Sequence, residues 1–202
     1  MQFIQFKNAF RDFPVISLAD IRGLDSNFDR RRLSEWREKG YIRKIIKGYY
    51  IFSDADIDEN RLAAIANRIY RPSYISLETA LSRYHLIPEN VYQVTSISTR
   101  RTSFFESPVG RFSYRTVKPE FFFGYTLQPG GYKLAHVEKA ILDYFYLNPD
   151  LRDEDDFTAR RMDRQELQRL LNRKRLAEYL GRFDKKNLAH RVKLFLRWLD
   201  HA

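Results

Sequence analysis

Ser26-Asn27-Phe28-Asp29-Arg30-Arg31-Arg32-Leu33-Ser34-Glu35-Trp36-Arg37-Glu38-Lys39-Gly40 runs directly into Tyr41-Ile42-Arg43-Lys44-Ile45-Ile46-Lys47-Gly48-Tyr49-Tyr50-Ile51-Phe52. At about 100° per residue, Leu33 and Trp36 fall on one face of the first half. Arg30, Arg31 and Ser34 fall on the opposite side, with Arg37 at its border. Ser26 stands where an N-cap belongs, with Asp29 three residues on at capping-box spacing. Gly40 supplies a stop, so the pattern predicts a helix from Ser26 to about Lys39. In the second half, two β-prone runs over 41–46 and 49–52 flank Lys47-Gly48, which predicts a hairpin.

Upstream, residues 3–12 read as a short helix that ends at the Phe13-Pro14 step, because a residue before proline avoids the helical region. Ser17 caps a second short helix over 18–22, stopped at Gly23. Three short helices followed by a hairpin are the element order of a winged helix-turn-helix, assigned here to residues 1–54. In such a fold the third helix lies in the major groove of double-stranded DNA, where arginine reaches guanine O6 and N7 or clamps phosphate. The expected contact residues are Arg30, Arg31, Ser34 and Arg37 on the helix. Arg43, Lys44 and Lys47 on the hairpin are expected beside the phosphate backbone.

Downstream of the acidic stretch Asp54-Ala55-Asp56-Ile57-Asp58, residues 55–202 read as a mixed α/β domain with C-terminal helices, so the fold class is α+β. Asp58 caps a helix over 59–70 with Leu62, Ile65, Ala66 and Ile69 on one stripe. Ser76 caps another over 77–86. Residues 91–98 alternate like a half-buried strand. Further β-prone pieces lie at 103–105, 111–117, 121–127 and 132–134, punctuated by Pro108, Gly110, Pro119 and Pro129-Gly130-Gly131. A helix over 135–147 follows, with Val137, Ile141, Tyr144 and Phe145 as its core stripe. An acidic loop over 150–156 then leads to two basic helices, about 164–180 and 188–199.

The 202 residues carry a net charge of +10, unevenly distributed. Lys/Arg outnumber Asp/Glu by 11 to 6 over 1–52 and by 13 to 5 over 157–202, whereas over 53–156 the balance is 12 to 15. Two basic ends imply an anionic partner, nucleic acid being the commonest; for the C-terminal segment a solvated basic helix fits equally well. The absence of cysteine excludes disulfides and thiolate metal sites and suits a reducing cytoplasm, the expected location. Residues 1–7 lack the features of a signal peptide, and no apolar stretch approaches the roughly 20 residues that cross a bilayer, so no membrane partner is expected.

Catalytic patterns are missing. His85, His136, His190 and His201 are scattered without metal-ligand spacing, and no Gly-x-Ser-x-Gly elbow or phosphate-cradling glycine loop occurs. Asp153-Glu154-Asp155-Asp156 is the one dense carboxylate run. A two-metal nuclease needs carboxylates brought together at fixed distances from rigid elements, and four consecutive acids in a loop point several ways. The expectation is a protein without metal, cofactor or enzymatic activity.

From about residue 33 to 149 the chain resembles the AbiEi antitoxin family of bacterial abortive-infection (phage-defence) toxin-antitoxin systems. The resemblance is carried by Leu33-Ser34-Glu35-Trp36-Arg37-Glu38-Lys39-Gly40-Tyr41-Ile42, Lys47-Gly48-Tyr49-Tyr50-Ile51-Phe52, Tyr74-Ile75-Ser76-Leu77-Glu78-Thr79-Ala80-Leu81 with Tyr84-His85-Leu86, and Ala135-His136-Val137-Glu138-Lys139-Ala140-Ile141-Leu142-Asp143. It implies a winged helix that binds inverted repeats in its own promoter and represses the operon. It also implies a remainder that counteracts a nucleotidyltransferase toxin. Family members commonly carry Arg before the wing glycine, where Lys47 stands here; charge is kept but not bidentate phosphate contact. The stretch 138–143 reads as a core helix. A stand-alone winged-helix regulator, or a protein-interaction module without a toxin partner, is the alternative.

Overall fold

Trp36 is the centre of the first structural unit. Its ring lies 4.8 Å from Phe6, 5.4 Å from Phe3 and 5.8 Å from Phe28, centroid to centroid. Phe10, Ile16, Ile21, Leu33, Ile42 and Phe52 complete this core, in which aromatic rings bury most area per residue. The computed structural model describes residues 1–88 and 93–201. Around Trp36 it places α1 (Phe3–Phe10), β1 (Ile16–Ser17), α2 (Leu18–Leu24), α3 (Arg31–Glu38), β2 (Ile42–Ile46) and β3 (Tyr49–Phe52).

Local chemistry accounts for most of these boundaries. Ser17 and Asp20 form a reciprocal capping box on α2, the Ser17 hydroxyl accepting from the Asp20 N–H (3.1 Å) and Asp20 accepting from the Ser17 N–H (2.7 Å). Gly40 ends α3 at φ +71°, which lets Tyr41 N–H reach the Trp36 carbonyl at 2.8 Å. Gly48, at φ +84°, turns the β2–β3 hairpin. The expected start of α3 is corrected: Ser26 is no cap, and Asp29 instead accepts from the Arg31 N–H at 2.9 Å. A continuous helix would set Phe28 about 140° away from Leu33, whereas the turns before Arg31 let Phe28 bury against Trp36. Ile16 and Ser17 pair antiparallel with Tyr50 and Tyr49 as a third strand that the sequence reading left unassigned.

The rest of the described chain comprises α4 (Glu59–Ile69), β4 (Ser73–Ile75), α5 (Leu77–Arg83), β5 (Gln93–Ser98), β6 (Ser103–Ser107), β7 (Gly110–Thr116), β8 (Tyr125–Leu127), β9 (Lys133–Ala135), α6 (Val137–Leu147), α7 (Glu154–Ala159), α8 (Arg164–Leu170), α9 (Arg173–Phe183) and α10 (Lys186–Asp200). Six strands form one mixed sheet in the order β6-β7-β5-β4-β9-β8, with β4/β9 and β5/β7 parallel and the other pairs antiparallel. All three residues of central β4 are buried, as a strand covered on both faces requires. Helix α6 is buried from Val137 through Phe145 and is packed by α5, α9 and α10. Positions 91 and 92 of the expected 91–98 strand lie outside the described residues.

Four further expectations are corrected. Ser76 does not cap α5 with its side chain, because its hydroxyl donates to the buried Asp143 carboxylate at 2.8 Å. Of the acidic loop expected over 150–156, residues 150–153 lie outside helix and Glu154, Asp155 and Asp156 are instead the first turn of α7: Asp153 caps Asp156 N–H at 3.0 Å, and Asp156 accepts from Arg152 N–H at 2.7 Å. Carboxylates at a helix start are stabilised by the unpaired N–H groups there. The helix expected over 164–180 breaks at Leu171-Asn172, where Asn172 caps Arg175 N–H (3.0 Å) and gives its own N–H to Glu138 (2.7 Å). Within 121–127 only Tyr125–Leu127 pairs as a strand, the preceding Pro119–Phe121 forming a single 3₁₀ turn.

The first unit is seated on the second. Val15, Ile45 and Ile51 lie between residues 1 and 54 yet bury their side chains in the larger core. Arg68 of α4 reaches back to Asp20 at 2.7 Å, and Arg61 donates to the Phe13 carbonyl at 3.1 Å. Among the described residues no helix is long and apolar enough to cross a membrane.

Candidate nucleic-acid interface

Burial of Leu33 and Trp36 orients α3, and its opposite side is left to solvent. Arg30, Arg31, Ser34 and Arg37 are all exposed. Among the described residues the side chains of Arg30, Arg31 and Arg37 make no hydrogen bond or ion pair, although Glu35 and Glu38 are exposed on the same helix. Arg32, on the flank nearer the core, is occupied by Gln2 Oε1 at 3.3 Å. The helix therefore presents unengaged guanidinium groups beside a hydroxyl, with the carboxylates of Glu35 and Glu38 interspersed among them on the same side.

The hairpin divides its cations between two faces. Ile42 and Lys44 stand opposite Phe52 and Tyr50, on the side of the Trp36 core, and Arg43 stands opposite Ile51 on the other side. Ile51 buries in the larger core, so Arg43 is turned towards the second unit; it is half-buried and its Nε has no partner among the described residues. Strand alternation sends the Arg43 side chain away from the face that carries Lys44. Lys44 and Lys47 are exposed and unpaired among the described residues, Lys47 at the hairpin turn. Arg30, Arg31, Ser34, Arg37, Lys44 and Lys47 thus lie on open surface of the first unit, and Arg43 is half-buried on the side that faces the second.

No family model matches the chain, and no curated protein matches it.

The sequence reading missed the polar interior of α6. Glu138, Lys139 and Asp143 are all 0% exposed. Lys139 Nζ pairs with Asp143 and donates to the Tyr74 hydroxyl at 2.7 Å, while Tyr74 donates to the other Asp143 oxygen at 2.8 Å. Glu138 takes the Arg175 guanidinium through two bonds, at 2.7 and 3.1 Å. Burial pushes the Lys139 ammonium down and the Asp143 carboxyl up from their ordinary values, and their mutual contact opposes both shifts. The Tyr74 phenol is raised by burial and by the Asp143 charge. These groups are enclosed, so they tie α6 to β4, α5 and α9 and offer nothing to a ligand. A signal was present: Lys and Asp four apart in an apolar helix are one turn apart on the same face.

The histidines are engaged singly or exposed. His136, at the start of α6, bonds Tyr179 Oη through Nδ1 at 2.7 Å, and burial together with Arg175 lowers its pKa. His201 Nδ1 meets the Arg197 carbonyl, and His85 and His190 are exposed. Among the described residues no three His, Asp or Glu side chains are grouped so as to hold a metal ion.

Proposed function

We propose that the protein is a DNA-binding regulator, with residues 1–54 as a winged helix-turn-helix that lays α3 in a major groove. The observation that carries this reading is the exposed, unengaged guanidinium groups of Arg30, Arg31 and Arg37 along α3, which outnumber the two carboxylates Glu35 and Glu38 between them, with Lys44 and Lys47 on the adjoining hairpin. Short helices packed on a common aromatic core hold that face rigid, as base-edge contact demands. The resemblance to AbiEi antitoxins supports a narrower role: repression of its own operon from inverted repeats, and opposition to a nucleotidyltransferase toxin.

Retardation of a duplex covering the promoter of its own operon tests the first part. Log affinity should fall linearly with log salt, steeply if four or more cations release phosphate counterions. Arg30→Ala with Arg31→Ala should weaken binding at least about tenfold, the scale of one or two lost guanidinium contacts, while leaving thermal melting nearly unchanged. A flat salt response, or unfolding of the double variant, would contradict the reading. Co-expression with a neighbouring nucleotidyltransferase tests the second part: growth should be restored by the full chain. Capture of a protein partner with no duplex retardation at low salt would identify an interaction module instead.

A further inference from the structure

The α3 surface makes no use of the basic C-terminal helices, and α10 collects part of their charge on one side. At about 100° per residue, Lys186, His190, Lys193 and Arg197 fall within about 60° of one another. All four are exposed, while Leu188, Val192, Phe195 and Leu199 on the opposite side are buried. The side chains of Lys186, Lys193 and Arg197 make no hydrogen bond or ion pair among the described residues. Carboxylates do not interrupt the row. Asp200, the one acid on the helix, is held by the Arg173 guanidinium at 3.1 Å. Helix α7 carries Glu154 and Asp155 but meets α10 at Trp198, whose indole N–H donates to Thr158 at 3.1 Å; Trp198 is about 120° around the helix from Lys186. In the turn before α10, Asp184 is followed by Lys185, so the turn adds no net charge.

The row is remote from the first unit. Tyr114 of β7 donates to the Ala66 carbonyl at 2.7 Å, which puts α4, the helix on which the first unit is seated, on one face of the sheet. Tyr74 stands opposite Ile97, and Ile97 opposite Arg115, the neighbour of Tyr114. By strand alternation Tyr74 therefore points to the other face, where it meets Asp143 of α6 at 2.8 Å. Helix α10 packs on α6, with Phe195 5.1 Å from Phe145, so the sheet and α6 stand between α10 and α4.

Three observations narrow the partner. The apolar side of α10 is buried in the protein's own core, whereas a helix lying in a bilayer interface needs that side free. Its aromatic residues, Phe195 and Trp198, are buried as well, so it offers no ring on which unpaired bases stack. What faces solvent is a straight row of cations, about 16 Å from Lys186 to Arg197 at roughly 1.5 Å per residue. One strand of a duplex presents a phosphate about every 3.4 Å along its axis, a regular line that such a row can follow. We infer that α10 is a second nucleic-acid surface, which holds the phosphate backbone of double-stranded DNA without regard to sequence. Contacts to phosphate position a duplex and carry no base information. This surface stands apart from α3 and does not depend on the α3 reading.

Fluorescence anisotropy with a labelled random-sequence duplex of about 20 base pairs, at about 50 mM salt, tests the inference. The full chain carrying Arg30→Ala and Arg31→Ala is used, so that α3 does not dominate. Saturable binding should persist in this variant. Adding Lys186→Ala, Lys193→Ala and Arg197→Ala should weaken it at least tenfold, and should make log affinity fall less steeply with log salt, by about 2 to 3 in slope. Lys186→Arg, Lys193→Arg and Arg197→Lys in their place should retain binding within a few-fold, and neither set should move the melting temperature, because all three side chains are exposed. Absence of saturable binding by the Arg30/Arg31 variant overturns the inference, as does equal binding after the three alanine changes. Tighter capture of a single strand of the same length, or of phosphatidylserine vesicles while the duplex is ignored, overturns it too. If duplex binding by the native chain falls only with the α10 changes and not with Arg30→Ala and Arg31→Ala, the α10 surface stands and the α3 reading fails.

Discussion

Lys139 and Asp143 sit one helical turn apart, and neither side chain touches solvent. Removing one member of such a pair leaves the other charge buried without a counterion, a loss of about 3–5 kcal/mol. Lys139→Met should therefore destabilise the chain strongly in urea titration. Lys139→Met combined with Asp143→Leu should cost clearly less than the two single changes added together, because the second change removes the stranded charge. Strict additivity would show that the two groups are not energetically coupled. Gly124 is constrained beside them: at φ +73°, a Cβ would lie 2.9 Å from Tyr179 and 3.0 Å from Lys139 Cγ. Gly124→Ala should lower stability by more than about 1 kcal/mol from backbone strain alone, read as a drop in melting temperature.

At the scale of elements, α2 depends on a single carboxylate with two duties. Asp20 closes the capping box with Ser17 and anchors Arg68. Partial burial alone would raise its pKa, but the Arg68 and Ser17 hydrogen bonds outweigh that and hold it below the ordinary carboxylate range. A group whose folded pKa is depressed stabilises the protein above its unfolded pKa, and that contribution is lost as pH falls through the folded value. Asp20→Asn should therefore lower stability at neutral pH, and the gap between variant and native chain should close below about pH 4. A gap that persists unchanged into acid would mean that the charge is irrelevant. In α7 the carboxylates act as caps, so Asp153→Ala should cost about 1 kcal/mol in denaturant melts.

At the scale of the whole molecule, the two cores are not independent. Val15, Ile45 and Ile51 come from the first unit and are buried in the second. A fragment ending at residue 54 would expose all three, and units of this length are marginal even with a closed core. The intact chain is expected to unfold in one cooperative calorimetric transition, and Ile51→Ala should lower the whole transition by about 2–5 kcal/mol. Two resolved transitions would show that the units are energetically separate. The same seating fixes how α3 is displayed, since α4 grips the first unit at Asp20 and Phe13 through Arg68 and Arg61.

Local signals were legible in the sequence because each acts over a few residues: the Leu33/Trp36 spacing, the Ser17 and Asp58 caps, the glycines at 40 and 48, and the exposure of Arg30 and Arg31 away from an apolar face, with Arg37 at its border. What tertiary structure alone decided involves partners far apart in the chain. The Ser76 hydroxyl is claimed by Asp143, 67 positions away, and the helix break at Asn172 is stabilised by Glu138, 34 positions away. The direction of Arg43 follows from which side of the hairpin meets the larger core. Periodicity assigns a side chain to a face; only packing settles whether that face meets water or another part of the protein.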